Sequence, residues 1–249
     1  MTHRPQSAVL AIGGMDSSGG AGLLRDQATI DALGGTMRAA VTCVTAQDDC
    51  TVSAIHPVPV ETVVAQIERA GPVRAVKIGM LGTSEIVRAV AGALPDVPCV
   101  LDPVLASSSG RALLSDRGMD ALVAELLPRA MLLTPNLPEL RMLSRRLGLE
   151  ADGDEATCVR TLMRRGCRAV LVKGGHAEPG ARCEDRLYLK NGSLRTFGGP
   201  RYGFSLRGTG CQIASAIAFT LGQGGDLCAA VDKARSVVMT RFRTHSGEP

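Results

Sequence analysis

The five residues from Arg207 to Cys211 combine a hydroxyl and a thiol with two glycines, and the apolar run Gln212 to Leu221 follows them directly. The run has the spacing of a buried helix. Glycines before a helix let backbone N–H groups converge on one point, where the helix dipole adds partial positive charge. The stretch is therefore a candidate anion site, most naturally for a phosphoryl group in transfer. A glycine turn that only starts a core helix has the same pattern, so the motif alone leaves both interpretations open.

Several other polar residues stand directly after short apolar runs that are typical of strands. They are Asp16, Lys77, Asp102, Asn136 and Lys173. In an open parallel sheet the ligand binds at the carboxyl ends of the strands, so we expect these side chains to lie along one edge.

Two carboxylates in this set are candidate metal ligands. Asp102 and Glu139 offer oxygen atoms suited to a Mg²⁺ ion shared with a nucleotide, with Asn136 able to assist, and Lys173 could contact phosphate oxygens. Each residue also has a simpler interpretation. Glu139 is equally a first-turn carboxylate favoured by the helix dipole, and a lone lysine at a strand end is often solvated.

The glycine-rich loop from Gly14 to Gly22 resembles the start of a P-loop. However, Gly20 and Ala21 stand where that motif requires lysine and then serine or threonine, and no G-x-G-x-x-G follows the first strand. The sequence therefore supports neither a P-loop NTPase nor a dinucleotide enzyme. The glycines either fold a loop over a small ligand or only make a tight strand-to-helix turn.

Apolar periodicity predicts alternating strands and helices around these residues. The predicted strands are Ala8 to Ile12, Ala39 to Thr45, Val52 to Ile55, Val73 to Ile78, Cys99 to Leu101, Met131 to Leu133 and Ala169 to Val172. Helices are predicted between them, including Gly118 to Leu127, and two helices end the chain, the second from about Leu227 to Phe242. A hairpin is predicted around Asn191 and Gly192. No linker or repeat interrupts the pattern, which favours one doubly wound α/β domain.

Composition excludes several classes of protein. The net charge is only +4, the basic residues are scattered along the chain, and no aromatic residue precedes Tyr188. A nucleic-acid partner is therefore not expected. The eight cysteines have no C-x-x-C spacing and no nearby histidine, so we expect reduced thiols and no zinc site. The first apolar run is too short for a signal peptide or a membrane span, which predicts a cytoplasmic protein without a membrane partner.

Eight short motifs occur along the chain in a fixed order. They are Gly14 to Gly22, Thr45 to Gln47, His56 to Pro59, Lys77 to Leu81, Leu101 to Val104, Thr134 to Glu139, Val172 to His176 and Gly208 to Cys211. The ordered set resembles the hydroxymethylpyrimidine/phosphomethylpyrimidine kinases of thiamine biosynthesis, which belong to the ribokinase-like superfamily. The resemblance extends from about Ala8 to Leu221.

The resemblance implies a fold, a reaction and partners. The fold is a three-layer α/β/α ribokinase-like domain with a mostly parallel central sheet, here a single domain over residues 1–249. The reaction is transfer of the ATP γ-phosphoryl group to the hydroxymethyl oxygen of 4-amino-5-hydroxymethyl-2-methylpyrimidine, with a possible second transfer to the monophosphate. Mg²⁺ is the implied metal, and a homodimer is the common assembly.

The resemblance also assigns residues. It implies a pyrimidine site formed by Gly14, Asp16, Gln47, Met80 and Val104. It implies an ATP site with Asn136, Lys173 and Thr209, and a metal site with Asp102 and Glu139. Catalysis is expected from positioning and charge stabilisation by Gly208, Gly210, Cys211 and Lys173.

Cys211 stands where sugar kinases of the superfamily carry an aspartate base. A thiol at a helix N-terminus is expected to have a pKa below its reference of about 8.5, which would favour a thiolate. Whether Cys211 removes the alcohol proton or only shapes the anion site stays open at this stage.

Gln47 is the residue best suited to read an aminopyrimidine. Its carboxamide offers a donor and an acceptor that complement a ring nitrogen beside an exocyclic amine. Because no aromatic residue precedes Tyr188, Met80 and Val104 are expected to clamp the ring. A loop glutamine bonded only to backbone is the alternative.

The chain departs from its relatives near the phosphate side. Relatives usually carry His where Arg207 stands, Thr where Gln212 stands and Lys where Ser108 stands. We expect these changes to handicap the second phosphorylation more than the first, although Arg207 could bind phosphate in a bidentate manner. The alternative functions are a pyridoxal or pyridoxine kinase, and a pyrimidine-binding protein with weakened catalysis.

Overall fold

A computed structural model describes residues 8–107, 109–149, 153–176 and 182–247. Ser108 therefore lies outside the described residues. The strands are β1 (Ala8–Asp16), β2 (Thr36–Gln47), β3 (Val52–Pro57), β4 (Ala75–Ile78), β5 (Cys99–Leu101), β6 (Leu132–Leu133), β7 (Ala169–Val172), β8 (Arg182–Leu189) and β9 (Leu194–Pro200). The α-helices are α1 (Gly22–Ala32), α2 (Val60–Glu68), α3 (Ser84–Ala93), α4 (Asp116–Ala121), α5 (Leu137–Arg146), α6 (Glu155–Arg164), α7 (Thr209–Gly222) and α8 (Leu227–Ser246).

All nine described strands form one sheet in the order β3-β2-β1-β4-β5-β6-β7-β8-β9. The six strands from β2 to β7 in this order pair in parallel, and β3, β8 and β9 are added antiparallel at the two edges. The strand order reverses direction beside β1, so the parallel part of the sheet has the doubly wound connectivity that was predicted.

Alternate residues of the buried strands face opposite helical layers. Val9, Val100 and Leu171 belong to a core with α1, α7 and α8. Leu10, Leu101 and Val172 belong to the core on the other side, with α2, α3, α5 and α6. The predicted three-layer α/β/α architecture with a mostly parallel sheet is confirmed.

Most element boundaries differ from the sequence prediction by a few residues. β2 begins at Thr36 instead of Ala39, because its pairing with β1 already starts where Thr36 lies opposite Ala8. The predicted helix Gly118 to Leu127 is the irregular one. It starts at Asp116, widens into a π-helical turn over Leu122–Leu126 and tightens over Leu127–Arg129. Pro128 has no backbone N–H, so a regular α-helix cannot continue there.

The predicted hairpin is confirmed as β8 and β9. In the part of the chain that the structure describes, no helix combines the length and the apolar character needed to span a bilayer.

Candidate active site

The carboxyl ends of the parallel strands bring most of the predicted site residues to one edge of the sheet. Asp16 ends β1 and Gln47 ends β2, while Met80, Asp102 and Val104 follow β4 and β5 within three residues. Asn136 and Lys173 follow β6 and β7 and form a parallel bridge with each other. The structure therefore brings these residues together at the carboxyl edge of the sheet, where the strand-end rule expects a ligand to bind.

Helix α7 begins directly above this edge. Gly208 precedes it with a left-handed φ of 74°, which a glycine adopts without strain, and Thr209 is its first residue. A Cβ atom on Gly210 would lie 3.0 Å from Nζ of Lys173 and 3.7 Å from Oδ2 of Asp102. A glycine at position 210 therefore leaves room for the helix start to approach both charged groups closely. The predicted helix start is confirmed, and its free N–H groups lie next to a lysine.

Lys173 and Asp102 form a buried ion pair. The Nζ atom of Lys173 donates to Oδ1 of Asp102 at 2.7 Å and lies 4.0 Å from Oε2 of Glu139. Thr134 donates its hydroxyl to the same Asp102 oxygen at 3.0 Å. Burial alone would lower the pKa of Lys173, but the two carboxylates outweigh it and raise that pKa above its usual value. Lys173 is therefore a fixed cation at the start of α7.

Glu139 lies in the first turn of α5, and different effects dominate its pKa. Burial raises its pKa to about 7, with a smaller contribution from Asp102 in the same direction, although Lys173 opposes both. One of its oxygens, Oε2, accepts the backbone N–H of Asn136 at 2.8 Å, and the Asn136 side chain accepts the N–H of Glu139 at 2.8 Å. Through this capping box one of the two carboxylate oxygens of Glu139 stabilises the start of α5, as expected of a first-turn carboxylate.

A second buried ion pair was not predicted from the sequence. Nζ of Lys77 donates to Oδ2 of Asp26 at 2.7 Å, and Oγ of Ser215 donates to Oδ1 of Asp26 at 2.7 Å. Lys77 and Asp26 are 1% and 0% exposed. Burial alone would lower the pKa of Lys77, but Asp26, Cys211 and Asp102 raise it above its ordinary value. The pair therefore adds a fixed cation close to Cys211.

A signal for this pair exists in the sequence. Lys77 interrupts the apolar strand Ala75–Ile78, and Asp26 lies on the same face of α1 as Leu23 and Ile30. A charge on the buried stripe of a helix and a charge inside a buried strand need opposite partners.

The prediction for the Cys211 thiol is wrong in direction. Burial raises its pKa to about 11, and the opposing effect of Lys77 is smaller. Asp26 and Asp102 add to the increase because their negative charge disfavours a thiolate. The residue keeps some exposed surface, but burial is the largest of these effects on the thiol. Cys211 is a neutral thiol at physiological pH.

The predicted pyrimidine residues lie on the β2, β1, β4 and β5 side of the edge. A Cβ atom on Gly14 would lie 3.0 Å from Sδ of Met80, so the loop backbone and this thioether are in close contact. Met80 shares a small apolar cluster with Cys43, Leu113 and Val104. This cluster provides aliphatic and thioether surface of the kind expected to clamp a ring.

Gln47 is tied to the neighbouring loop through its backbone. Ser17 donates its hydroxyl to the Gln47 carbonyl at 3.1 Å and accepts the Gln47 N–H at 3.0 Å. The Gln47 side chain accepts one bond from the Thr45 hydroxyl at 3.4 Å. The backbone of Gln47 is therefore anchored, while its side-chain amide nitrogen has no hydrogen bond among the described residues.

Asp16 organises the glycine-rich loop. One carboxylate oxygen accepts the N–H and the hydroxyl of Ser18, and the other accepts the N–H of Ala21 at 2.9 Å. The guanidinium of Arg207 donates to this second oxygen at 3.0 Å. Arg207 therefore points at the candidate pyrimidine loop.

Gln212, the other departure next to the glycine motif, is buried in the second turn of α7. Its Oε1 atom is the one buried side-chain oxygen or nitrogen among the described residues without a hydrogen-bond partner. The described residues also contain no group of three or more histidine, cysteine, aspartate or glutamate side chains that could hold a metal ion.

The fold and this edge define a small-molecule kinase of the ribokinase-like class, in which a glycine-started helix stands over a lysine–aspartate pair. The family model for phosphomethylpyrimidine kinase matches residues 16–247. The chain belongs to the phosphomethylpyrimidine kinase family.

Individual relatives agree with this placement. The hydroxymethylpyrimidine/phosphomethylpyrimidine kinase of Haemophilus influenzae is 36% identical over 239 residues, which are 92% of this chain and 88% of that enzyme. The crystal structure of phosphomethylpyrimidine kinase from Clostridium difficile 630 has a TM-score of 0.81 at 30% identity and covers 95% of this chain and 100% of that chain. Pyridoxal kinase from Staphylococcus aureus in complex with ADP has a TM-score of 0.83 at 30% identity, with coverages of 94% and 87%.

Proposed function

We propose that this chain is a single ribokinase-like kinase domain that uses ATP to phosphorylate hydroxymethylpyrimidine, and then its monophosphate, in thiamine biosynthesis. The observation that carries the proposal is the contact between the start of α7 and the Lys173–Asp102 pair. Backbone N–H groups and a fixed lysine meet there, and the apolar cluster around Met80 follows strands at the same edge of the sheet. An anion site and an apolar cluster at one sheet edge suit a kinase with a small cyclic substrate.

The residues at the helix start would stabilise the transferred group. The N–H groups of Thr209, Gly210 and Cys211 are free of helical partners in the first turn, so they can donate to phosphoryl oxygens. Lys173 would share the negative charge. Because the Cys211 thiol has a pKa of about 11, we assign it a hydrogen bond at this site instead of the role of a base. Phosphoryl transfer of this kind depends mainly on positioning and charge stabilisation.

The carboxylates fit a Mg²⁺ ion that arrives with the nucleotide. Magnesium usually takes one or two protein carboxylates together with phosphate oxygens and water. Asp102 keeps Oδ2 on the side of Gly210, while its Oδ1 is held by Lys173 and Thr134. Glu139 keeps one oxygen outside its capping box. When bound, the ion would neutralise phosphate charge, and Asn136 supports this region by fixing Glu139.

Substrate choice is proposed to depend on Gln47. Its amide nitrogen, which has no hydrogen bond within the described part of the chain, and its carbonyl would pair with the aminopyrimidine edge while Gly14, Met80 and Val104 cover the ring. Asp16 supports this side of the site through the loop that it organises.

The test is ADP release by purified protein with hydroxymethylpyrimidine, its monophosphate and pyridoxal as separate substrates. The proposal expects the highest kcat/KM with a pyrimidine. The similarity to a pyridoxal kinase structure makes pyridoxal the second candidate, and preference for it would refute our assignment. Pyrimidine binding without ADP release would identify a binding protein with weakened catalysis.

A homodimer in the cytoplasm completes the proposal and rests on the resemblance to the family. Size-exclusion chromatography with light scattering tests the assembly, and a monomeric mass at micromolar concentration would contradict it.

A further inference from the structure

Arg207 joins three separate segments of the chain near the candidate pyrimidine site. Its guanidinium donates to Asp16 at 3.0 Å, to the hydroxyl of Ser18 at 2.8 Å and to Asp49 at 2.9 Å. Asp16 is the last residue of β1, Ser18 lies in the loop after it, and Asp49 lies between β2 and β3. The backbone of Arg207 immediately precedes Gly208 and the start of α7, so one side chain links the substrate loop to the anion site.

The loop and the helix start are also in direct contact. A Cβ atom on Gly208 would lie 2.3 Å from the carbonyl oxygen of Gly20, and one on Gly20 would lie 2.9 Å from a guanidinium nitrogen of Arg207. A side chain at position 208 would require the loop backbone to move, and one at position 20 would displace the Arg207 guanidinium. The loop and the helix start are therefore closely packed next to this arginine.

The partners of Asp16 limit what it can do for a substrate. A carboxylate has about four acceptor positions. In this structure they are used by the N–H and hydroxyl of Ser18, the N–H of Ala21 and Arg207. Asp16 is 4% exposed, so loss of the guanidinium would leave a buried carboxylate without its counter-charge.

We propose that Arg207 is a positioning residue for the alcohol substrate, which acts by holding the Gly14–Gly22 loop closed through Asp16. The inference rests on the proposed function for the identity of that substrate. It also argues against Arg207 as a direct ligand of a substrate phosphate, because the guanidinium already faces two carboxylates. Replacing Arg207 should therefore change KM by the same factor in both phosphorylation steps.

The kinetic test compares wild type with Arg207→Ala, Arg207→Lys and Asp49→Asn. We expect Arg207→Ala to raise KM for hydroxymethylpyrimidine and for its monophosphate by the same factor, roughly tenfold, as is typical for loss of a charged hydrogen bond. The value of kcat and the KM for ATP should stay within about threefold, since the Lys173–Asp102 pair is untouched. Arg207→Lys should recover part of the affinity. Asp49→Asn is the matched control, because its side chain is 86% exposed and exposed ion pairs contribute little.

Hydrogen exchange provides a readout that does not depend on the substrate. The N–H groups of Ser18 and Ala21 donate to Asp16, so Arg207→Ala should speed exchange in the peptide covering residues 14–22, while Asp49→Asn should not. Unchanged exchange in Arg207→Ala would overturn the proposal, and exchange in Arg207→Lys should lie between the rates of wild type and Arg207→Ala. A KM increase confined to the monophosphate would assign Arg207 to phosphate binding, and a fall in kcat alone would assign it to the anion site; either result overturns the proposal.

The two proposals fail separately. If wild type prefers pyridoxal, the proposed function is refuted, and KM for pyridoxal together with the exchange rates then decides the role of Arg207. If wild type prefers the pyrimidine and both readouts are unaffected in the variants, the proposed function stands and the role of Arg207 is refuted.

Discussion

The buried pair of Lys77 and Asp26 leads to a prediction about stability. Replacing Asp26 by Asn removes the carboxylate that lies 2.7 Å from the lysine, and the ammonium stays in a site that is 1% exposed. The Asn side chain keeps a similar shape and can still accept the hydroxyl of Ser215. The change therefore isolates the loss of the counter-charge.

The expected cost is large because the unpaired ion stays buried. Breaking a buried pair by removing one partner typically destabilises a protein by about 3–5 kcal/mol. A protein of this kind has a total unfolding free energy of about 5–15 kcal/mol. Asp26→Asn should thus remove a large part of the stability. Lys77→Met should cost a similar amount because it leaves a buried carboxylate.

Urea unfolding followed by far-ultraviolet circular dichroism measures this effect. The double variant Asp26→Leu with Lys77→Met should be more stable than either of its own single variants, Asp26→Leu and Lys77→Met, since a hydrophobic pair of similar volume often replaces a buried ion pair without loss. The cycle should therefore be non-additive by about 2 kcal/mol or more. Additive costs, or a cost below about 1 kcal/mol for Asp26→Asn, would refute the reasoning.

The same variants have opposite effects on Cys211. Asp26 raises the pKa of this thiol and Lys77 lowers it. Alkylation of Cys211 by iodoacetamide, followed by peptide mapping, should thus be faster in Asp26→Asn and slower in Lys77→Met than in wild type. The same direction of change in both variants would show that local unfolding controls access.

Three further predictions concern single residues of the site. Cys211→Ser should keep turnover within about tenfold of wild type, because a hydroxyl can replace a neutral thiol; a loss above about 100-fold in kcat would instead indicate a thiolate base. Glu139 has a pKa of about 7 in the folded protein, above its value in the unfolded chain. Its contribution to the unfolding free energy should therefore be present near pH 4.5 and should fall by up to about 3 kcal/mol as the pH rises to 7. Urea unfolding of Glu139→Gln without nucleotide or metal should lack this decrease, and a parallel pH profile in the variant would contradict the assignment. Gln212→Met should raise the unfolding free energy by about 1 kcal/mol, because it removes a buried carbonyl oxygen without a partner; an equal or lower melting temperature would show that the oxygen is satisfied in solution.

The layered fold could be predicted because hydrophobic periodicity reports burial directly. Each of the central strands is a short apolar run followed by a polar residue, and the edge of a parallel sheet collects those polar residues. Asp102 and Lys173 are in contact for this reason, although 71 positions separate them. The π-helical turn at Leu122–Leu126 could not be predicted, since nothing in local apolar spacing distinguishes it from an α-helix.

Details of the site depend on tertiary contacts that local patterns do not contain. Asp26 was missed because it lies in the middle of α1, away from any strand end, and its partner Lys77 is 51 positions later. The pKa of Cys211 was predicted from the helix dipole alone, whereas the structure adds burial and two carboxylates. The contact between Arg207 and Asp16 spans 191 positions, and no local pattern indicates which carboxylate an arginine will meet.

The charges near the start of α7 determine what a phosphoryl group would meet at the proposed anion site. Lys77 is matched by Asp26 and Lys173 by Asp102. Neither ammonium is therefore a free cation, and the thiol of Cys211 gains too little positive charge to ionise. A phosphoryl group approaching this region meets a nearly neutral set of side chains. We therefore expect the N–H groups that Gly208 and Gly210 allow to come close, together with the dipole of α7, to add to the stabilisation that we propose for Lys173 and Mg²⁺.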